Sequence, residues 1–353
     1  MLQRLPKRID LTDVFMVVIG GLIVAVVVVG SAMTIMDGKY TASQWFDFLV
    51  AGVALGGIYA LIALGYTLVY GVLRMINFAH SEVYMAGPFT AYFLADAMAS
   101  SGFLEKNVVV GLVAIFVLAM AVSTVVAILL ERIAYRPLRF APRLVPLITA
   151  IGASFFLQYF FRGLYGPNLR AYPEIDALKR IVQIGDFRIS YVQILVIVAT
   201  ALMMVGLQVF VQRTRTGKAM RAVSEDKQTA LLMGVDIDQI IVITFVLGGA
   251  LAGAAGVLNA LMFRQVRFDM GFIPSIKAFT AAVLGGIGNI PGAMLGGVFL
   301  GVAESVGPTL FLDGLGVPAP QQLKDVIAFV LLVLILIFRP SGILGERLAV
   351  KKA

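Results

Sequence analysis

Residues 107–130 read NVVVGLVAIFVLAMAVSTVVAILL, 24 consecutive positions without an Asp, Glu, Lys or Arg. A helix needs roughly 20 apolar residues to cross a ~30 Å hydrocarbon core, so this stretch can span a bilayer. Similar charge-free windows lie to either side of it, at 14–36, 48–73, 83–95, 144–161, 189–212, 239–263, 278–303 and 326–338. Windows 83–95 and 326–338 are short for a full crossing, and flanking residues such as Asp96 and Lys324 must snorkel to complete them. Over all 353 residues, 60% are apolar and 14% charged, whereas soluble domains are roughly 25% charged. These features predict an all-α, polytopic integral membrane bundle with about eight to ten transmembrane helices.

The composition also excludes several kinds of chemistry. There is no cysteine and a single histidine, His80, so disulfide frameworks, thiol nucleophiles and clustered metal ligands have no side chains to build them. The net charge of +8 does not indicate nucleic acid, because such binding needs a solvated basic face; membrane lipid is the expected surroundings. A phosphate-cradling Gly-x-x-x-x-Gly-Lys-Ser/Thr loop is absent, and neither Gly38-Lys39-Tyr40 nor Gly217-Lys218-Ala219 supplies it. Ser154 and His80 could be imagined as a nucleophile and base, but a serine among small residues in an apolar helix ordinarily packs helices together.

Lys and Arg set the expected orientation, since basic loops stay in the cytoplasm. With the N-terminus inside, inner segments hold 17 of the 28 basic residues and 9 of the 20 acidic ones. Both termini are therefore expected in the cytoplasm, although the loop at 162–188 carries five basic residues on the outer side. The basic start, Arg4, Lys7 and Arg8, precedes a 23-residue apolar run, longer than a signal-peptide core, so an uncleaved spanning helix is expected.

Parity requires the stretch 278–312 to cross twice or to dip in and return. Its centre, Leu284-Gly-Gly-Ile-Gly-Asn-Ile-Pro-Gly292, predicts a broken or re-entrant helix near 285–292. Gly285, Gly286, Gly288 and Pro291 would let two half-helices meet closely beside a pathway; the alternative is a plain cytoplasmic turn. On the largest inner loop, 213–238, Ser224 is expected to cap a helix carrying Ala230, Leu231, Leu232 and Met233, with Gly234 ending it. Those apolar residues either pack back on the bundle or dock a soluble partner.

Several segments resemble the permease subunit of branched-chain amino acid ABC importers, of the LivH type. They are GGIYALIALGYTLVYGVLRMINFAH (56–80), EVYM (82–85), ERIAYRP (131–137), LITAIGASFFLQ (147–158), GKAMRAVSEDKQTALLMGVDID (217–238), KAFTAAVLGGIGNIPGAMLGG (277–297) and PSGILG (340–345). Gln228-Thr-Ala-Leu-Leu-Met-Gly234 resembles the coupling motif Glu-Ala-Ala-x-x-x-Gly, with Gln in place of Glu. Ser81 stands where the family usually has glycine. The resemblance implies a permease domain over 43–347, preceded by an extension with an extra helix (1–42) and followed by a basic tail (348–353).

It further implies a non-catalytic translocation subunit that binds no cofactor, with ATP and Mg held by two cytoplasmic ATPase subunits. A second related permease chain and an external or periplasmic binding protein delivering leucine, isoleucine or valine complete the expected machine, in the bacterial inner membrane. Gly217, Arg221, Glu225, Asp226, Ala230, Leu231, Leu232 and Gly234 are the expected ATPase-coupling residues. Polar groups in apolar surroundings are the path candidates: Asn77, His80, Glu82, Tyr84, Gln158, Asn289 and Glu304, beside the glycine-rich break. The same machinery could instead carry urea, short amides or other amino acids. An ion-coupled transporter or channel is the alternative of another class, against which stands the scarcity of intramembrane carboxylates.

Overall fold

The structure, a computed structural model, describes residues 11–139, 141–142, 144–339 and 341–345. Arg4, Lys7, Arg8 and the tail at 348–353 lie outside the described residues. The chain runs through α1 (Leu11–Met36), α2 (Ala42–Leu73), α3 (His80–Ser100), α4 (Phe103–Lys106), α5 (Val108–Leu130) and α6 (Leu144–Tyr165). There follow β1 (Arg170–Ala171), α7 (Asp176–Lys179), β2 (Ile181–Ile184), β3 (Phe187–Ser190), α8 (Tyr191–Arg213), α9 (Arg215–Glu225) and α10 (Lys227–Leu232). The last part holds α11 (Ile237–Phe263), β4 (Gln265–Val266), α12 (Phe272–Gly285), α13 (Ile290–Gly307) and α14 (Lys324–Phe338). Among the described residues, eight helices are long and apolar enough to cross a membrane, and the molecule is a multi-pass helical membrane bundle.

The short window at 83–95 lengthens into the 21 residues of α3, which begins at His80 and takes in Asp96. At 1.5 Å per residue that is about 31 Å, enough for the hydrocarbon core. Helix starts follow local chemistry. Thr41 and Gln44 form a reciprocal capping box at α2, with Gln44 Oε1 accepting from the Thr41 N–H at 2.8 Å, and Ser190 and Gln193 do the same at α8.

Helices α2 and α11 occupy the centre, with 67% and 72% of their spanning windows buried. Small residues allow this: a methyl group at Gly301 would lie 2.2 Å from the Gly56 nitrogen, and one at Gly297 would lie 2.4 Å from Ala60 Cα. Backbones in contact through glycine give the close packing that holds helices together where burial from water cannot. These contacts also set α13 antiparallel to α2, with Ser305 Oγ donating to the Phe48 carbonyl at 2.7 Å.

The two ends of the bundle differ. At the start of α2 lies the antiparallel β2–β3 hairpin, tied by Ser43 Oγ to the Asp186 carbonyl at 2.6 Å; this is the hairpin end. At the other end of α2, Arg74 donates to the Ser224 carbonyl on α9 at 2.7 Å; this is the loop end. Between them, β1 and β4 pair antiparallel, Arg170 opposite Val266.

The predicted break is present as a turn at 286–289 between α12 and α13. Ile287 lies beside Tyr66 and Tyr70 near the end of α2, which places the turn toward the loop end. A second interruption went unpredicted. After α2 the non-helical residues 74–79 double back, so that α3 starts with His80 against Gly65, where a methyl group would lie 2.2 Å from the imidazole Nε2. Gly65 sits eight residues inside the end of α2, about 12 Å along the helix. Non-helical backbone is tolerated at this depth because protein surrounds it.

Candidate functional site

Three groups of polar residues emerge. The first is the interior cluster at the start of α3. Asn77 accepts a hydrogen bond from Tyr135 at 2.8 Å, and His80 lies edge-on to Tyr66 with ring centres 4.9 Å apart. Glu82 Oε1 accepts from Ser81 Oγ and from Ser154 Oγ, each at 3.1 Å, while Oε2 has no partner among the described residues. Ser154 therefore faces a carboxylate, and the imagined Ser154–His80 pair is not formed. The single Ser81 hydroxyl hydrogen is shared between Glu82 Oε1 and the Phe78 carbonyl at 2.9 Å, so the serine hydroxyl has work that glycine could not do. The backbone approaches closely here through a different glycine: a methyl group at Gly271 would lie 2.0 Å from the Ser81 carbonyl oxygen. Tyr84 is fully buried, and Gln158 is half-buried on α6.

The second group lines a vestibule of about 440 Å³ near the hairpin end, walled by Leu55, Tyr59, Asn259, Phe263, Ile273, Lys277, Glu304 and Asp325 among others. Lys277 is 3% and Glu304 1% exposed, and the ammonium donates to Glu304 Oε1 at 2.5 Å, to Asp325 Oδ1 at 2.6 Å and to Tyr59 at 3.4 Å. One cation thereby joins α12, α13 and α14. Glu304 was a sequence candidate; Lys277 and Asp325 were not. Gly285, Gly286, Gly288, Asn289 and Pro291 do not line this cavity. They build the turn at 286–289: Asn289 Oδ1 caps α13 by accepting from the Gly292 N–H at 3.0 Å, and its amide donates to the Leu344 carbonyl at 2.8 Å.

The third group is the loop between α8 and α11. Gly217 makes its first corner, since a methyl group there would lie 2.4 Å from the Val211 carbonyl oxygen. The expected cap at Ser224 is not formed: its hydroxyl donates to the Arg221 carbonyl at 2.7 Å, inside α9. The capping residue is Asp226, whose Oδ1 accepts from the N–H groups of Gln228 at 2.8 Å and Thr229 at 3.0 Å, and Gly234 ends the loop helix with φ +81°. Arg221 and Glu225 are exposed. Ala230 packs inward at 3% exposure, whereas Leu231, Leu232 and Met233 are 60%, 86% and 79% exposed. The apolar tip does not pack on its own bundle. Burial, with Arg139 and Arg74 nearby, holds the Lys227 ammonium below its usual range. Changing Asp226 to Ala is expected to fray α10 by about 0.5–2 kcal/mol, read as faster amide hydrogen exchange at Gln228 and Thr229.

A membrane bundle with a charged vestibule toward one end and an apolar tip at the other has the layout of a translocation subunit. The chain belongs to the branched-chain amino acid transport system permease component family, whose model matches residues 48–336. It is 46% identical over 306 residues to the high-affinity branched-chain amino acid transport system permease protein BraD of Pseudomonas aeruginosa, covering 86% of this chain and 96% of that one. It is 41% identical over 310 residues to LivH of Escherichia coli, covering 87% and 96%. The probable permease protein LivM of Methanocaldococcus jannaschii matches at 33% over 149 residues, covering 38% and 41%. A solved structure, PsaBC from Streptococcus pneumoniae in complex with Fab, matches at 14% identity with a TM-score of 0.42, covering 87% and 95%.

Proposed function

We propose that the chain is the translocation subunit of an ATP-driven importer of leucine, isoleucine and valine in the bacterial inner membrane. The loop end faces the cytoplasm and the vestibule faces outward, with both termini inside. Two ATPase subunits, which bind ATP and Mg, seat on the α9–α10 tip; a related second permease chain completes the membrane portion, and an external binding protein delivers the cargo. The chain itself is non-catalytic and binds no cofactor. The observation that carries this reading is the exposed Leu231–Met233 tip in a loop whose Met220, Val223 and Ala230 are buried. The family membership and the names of the relatives support the cargo.

Reconstituting the chain with its partners in vesicles tests the reading. Uptake of labelled leucine should require ATP and the binding protein, and isoleucine and valine should compete. Uptake without an ATPase would indicate the ion-coupled class, and competition by urea or short amides alone would change the cargo.

Arg74 gives a sharper expectation about coupling. It links α9 to the interrupted segment 74–79 through the Ser224 carbonyl and adopts φ +60°, a region unfavourable to residues with a side chain. Arg74→Gly relieves that strain while removing the bond. Assembly should persist, with leucine taken up per ATP hydrolysed falling about two- to tenfold, consistent with one exposed charge-assisted hydrogen bond. An unchanged ratio would show that Arg74 transmits nothing.

A further inference from the structure

We infer that Lys277, Glu304 and Asp325 form a transit site in the vestibule for the charged head of an α-amino acid. The inference rests on the reading that this chain passes amino acids. Taking ions out of water is costly, and an apolar core would hold three helices together at least as well; buried ions within a membrane bundle ordinarily mark a pathway.

The bonding pattern fits a zwitterion. The Lys277 ammonium is shared between two carboxylates, at 2.5 Å to Glu304 and 2.6 Å to Asp325. The two acceptors are not equivalent. Glu304 is buried and its Oε2 has no partner among the described residues, whereas the Asp325 side chain is 45% exposed at the mouth. An arriving α-carboxylate can take the place of Asp325 on Lys277. The cargo ammonium then lies between the freed Asp325 and the unused Glu304 oxygen. Every ion exchanges one partner for another, so none is left bare. Leu55, Phe263 and Ile273 supply apolar wall for an aliphatic side chain, and the volume of about 440 Å³ falls in the range of small-molecule sites. Asn259 adds a neutral polar group to the same wall.

The assembled transporter in vesicles tests the site with three readouts: complex yield, ATP hydrolysis stimulated by loaded binding protein, and leucine uptake. The double change Lys277→Met with Glu304→Gln removes both buried charges together, so neither is left unpaired. The expected result is uptake reduced at least tenfold with yield and stimulated hydrolysis retained. Asp325→Asn should lower uptake less, since Lys277 keeps Glu304. The swap Lys277→Glu with Glu304→Lys, made on the Asp325→Asn background so that no carboxylate faces the new glutamate and compared with Asp325→Asn alone, preserves a buried pair but moves the cation to α13. A mere clamp between helices recovers uptake in the swap, whereas a transit site does not. Wild-type uptake in the double variant, restored uptake in the swap, or loss of yield alongside loss of uptake would each overturn the transit site and leave the importer reading intact. Failure of the unaltered complex to take up any amino acid would remove that reading and the transit site with it.

Discussion

Replacing Leu231 and Leu232 together with Asp is expected to release the ATPase subunits from the membrane portion and abolish uptake. Both leucines are exposed on the apolar tip, while Ala230 beside them is buried and unaltered, so the change leaves the bundle's own packing untouched. Two carboxylates carried into an apolar interface cost several kcal/mol in desolvation. At 1.4 kcal/mol per tenfold, the affinity should fall by about a hundredfold or more. Co-purification of the ATPase measures it directly, with the membrane portion expected at its normal yield. Leu231→Met with Leu232→Met, which keeps the tip apolar, should assemble normally. Full assembly of the Asp variant would show that the docking surface lies elsewhere.

The second large effect is expected at the turn between α12 and α13, where three glycines serve different ends. A methyl group on Gly285 would lie 2.0 Å from the Gly292 carbonyl oxygen, so even Gly285→Ala must push the two helices apart. Gly286 combines φ +102° with Gly345 Cα 2.5 Å from the methyl position, whereas Gly288 has φ +99° with open space around it. Gly288→Ala therefore meets only the backbone penalty, about 1–2 kcal/mol. Complex yield should fall in the order Gly288→Ala, then Gly286→Ala, then Gly285→Ala. Gly286→Leu should do little more harm than Gly286→Ala, because the conformation and the contact both object to the first carbon. A steady decline with side-chain size at Gly286 would contradict this assignment.

The membrane bundle was legible because a charge-free apolar run of sufficient length has few alternatives, and the split of window 278–303 was legible in its glycines and proline. The charge-free criterion that found the helices also concealed Lys277: by starting the window at Ala278, it treated a buried ammonium as a loop residue. The interruption at 74–79 escaped for a related reason, since Arg74 marked a loop without showing how deep the following residues return. Asn77, His80 and Glu82 were the available signal, polar side chains too closely spaced for a plain inner turn. Ser224 and Asp226 were both able to cap a helix, and only the length of α9, which uses the serine internally, decides for the aspartate. Contacts between distant parts of the chain, such as Lys277 with Asp325, leave no trace in local pattern.

Residues 341–345 have a consequence for how the protein is made. The Ile343 and Leu344 N–H groups bond the Leu284 and Gly285 carbonyls at 2.8 and 3.2 Å, and Asn289 bonds the Leu344 carbonyl. Chains are synthesised from the N-terminus and fold progressively, so the α12–α13 hairpin is inserted before the segment that fastens it exists. Until the ribosome has passed Leu344, those carbonyls stay open and the hairpin is held only by its neighbours. The turn is thus latched only after the chain through Leu344 is in place, and a chain cut short just after α14 would contain every described helix yet lack that fastening.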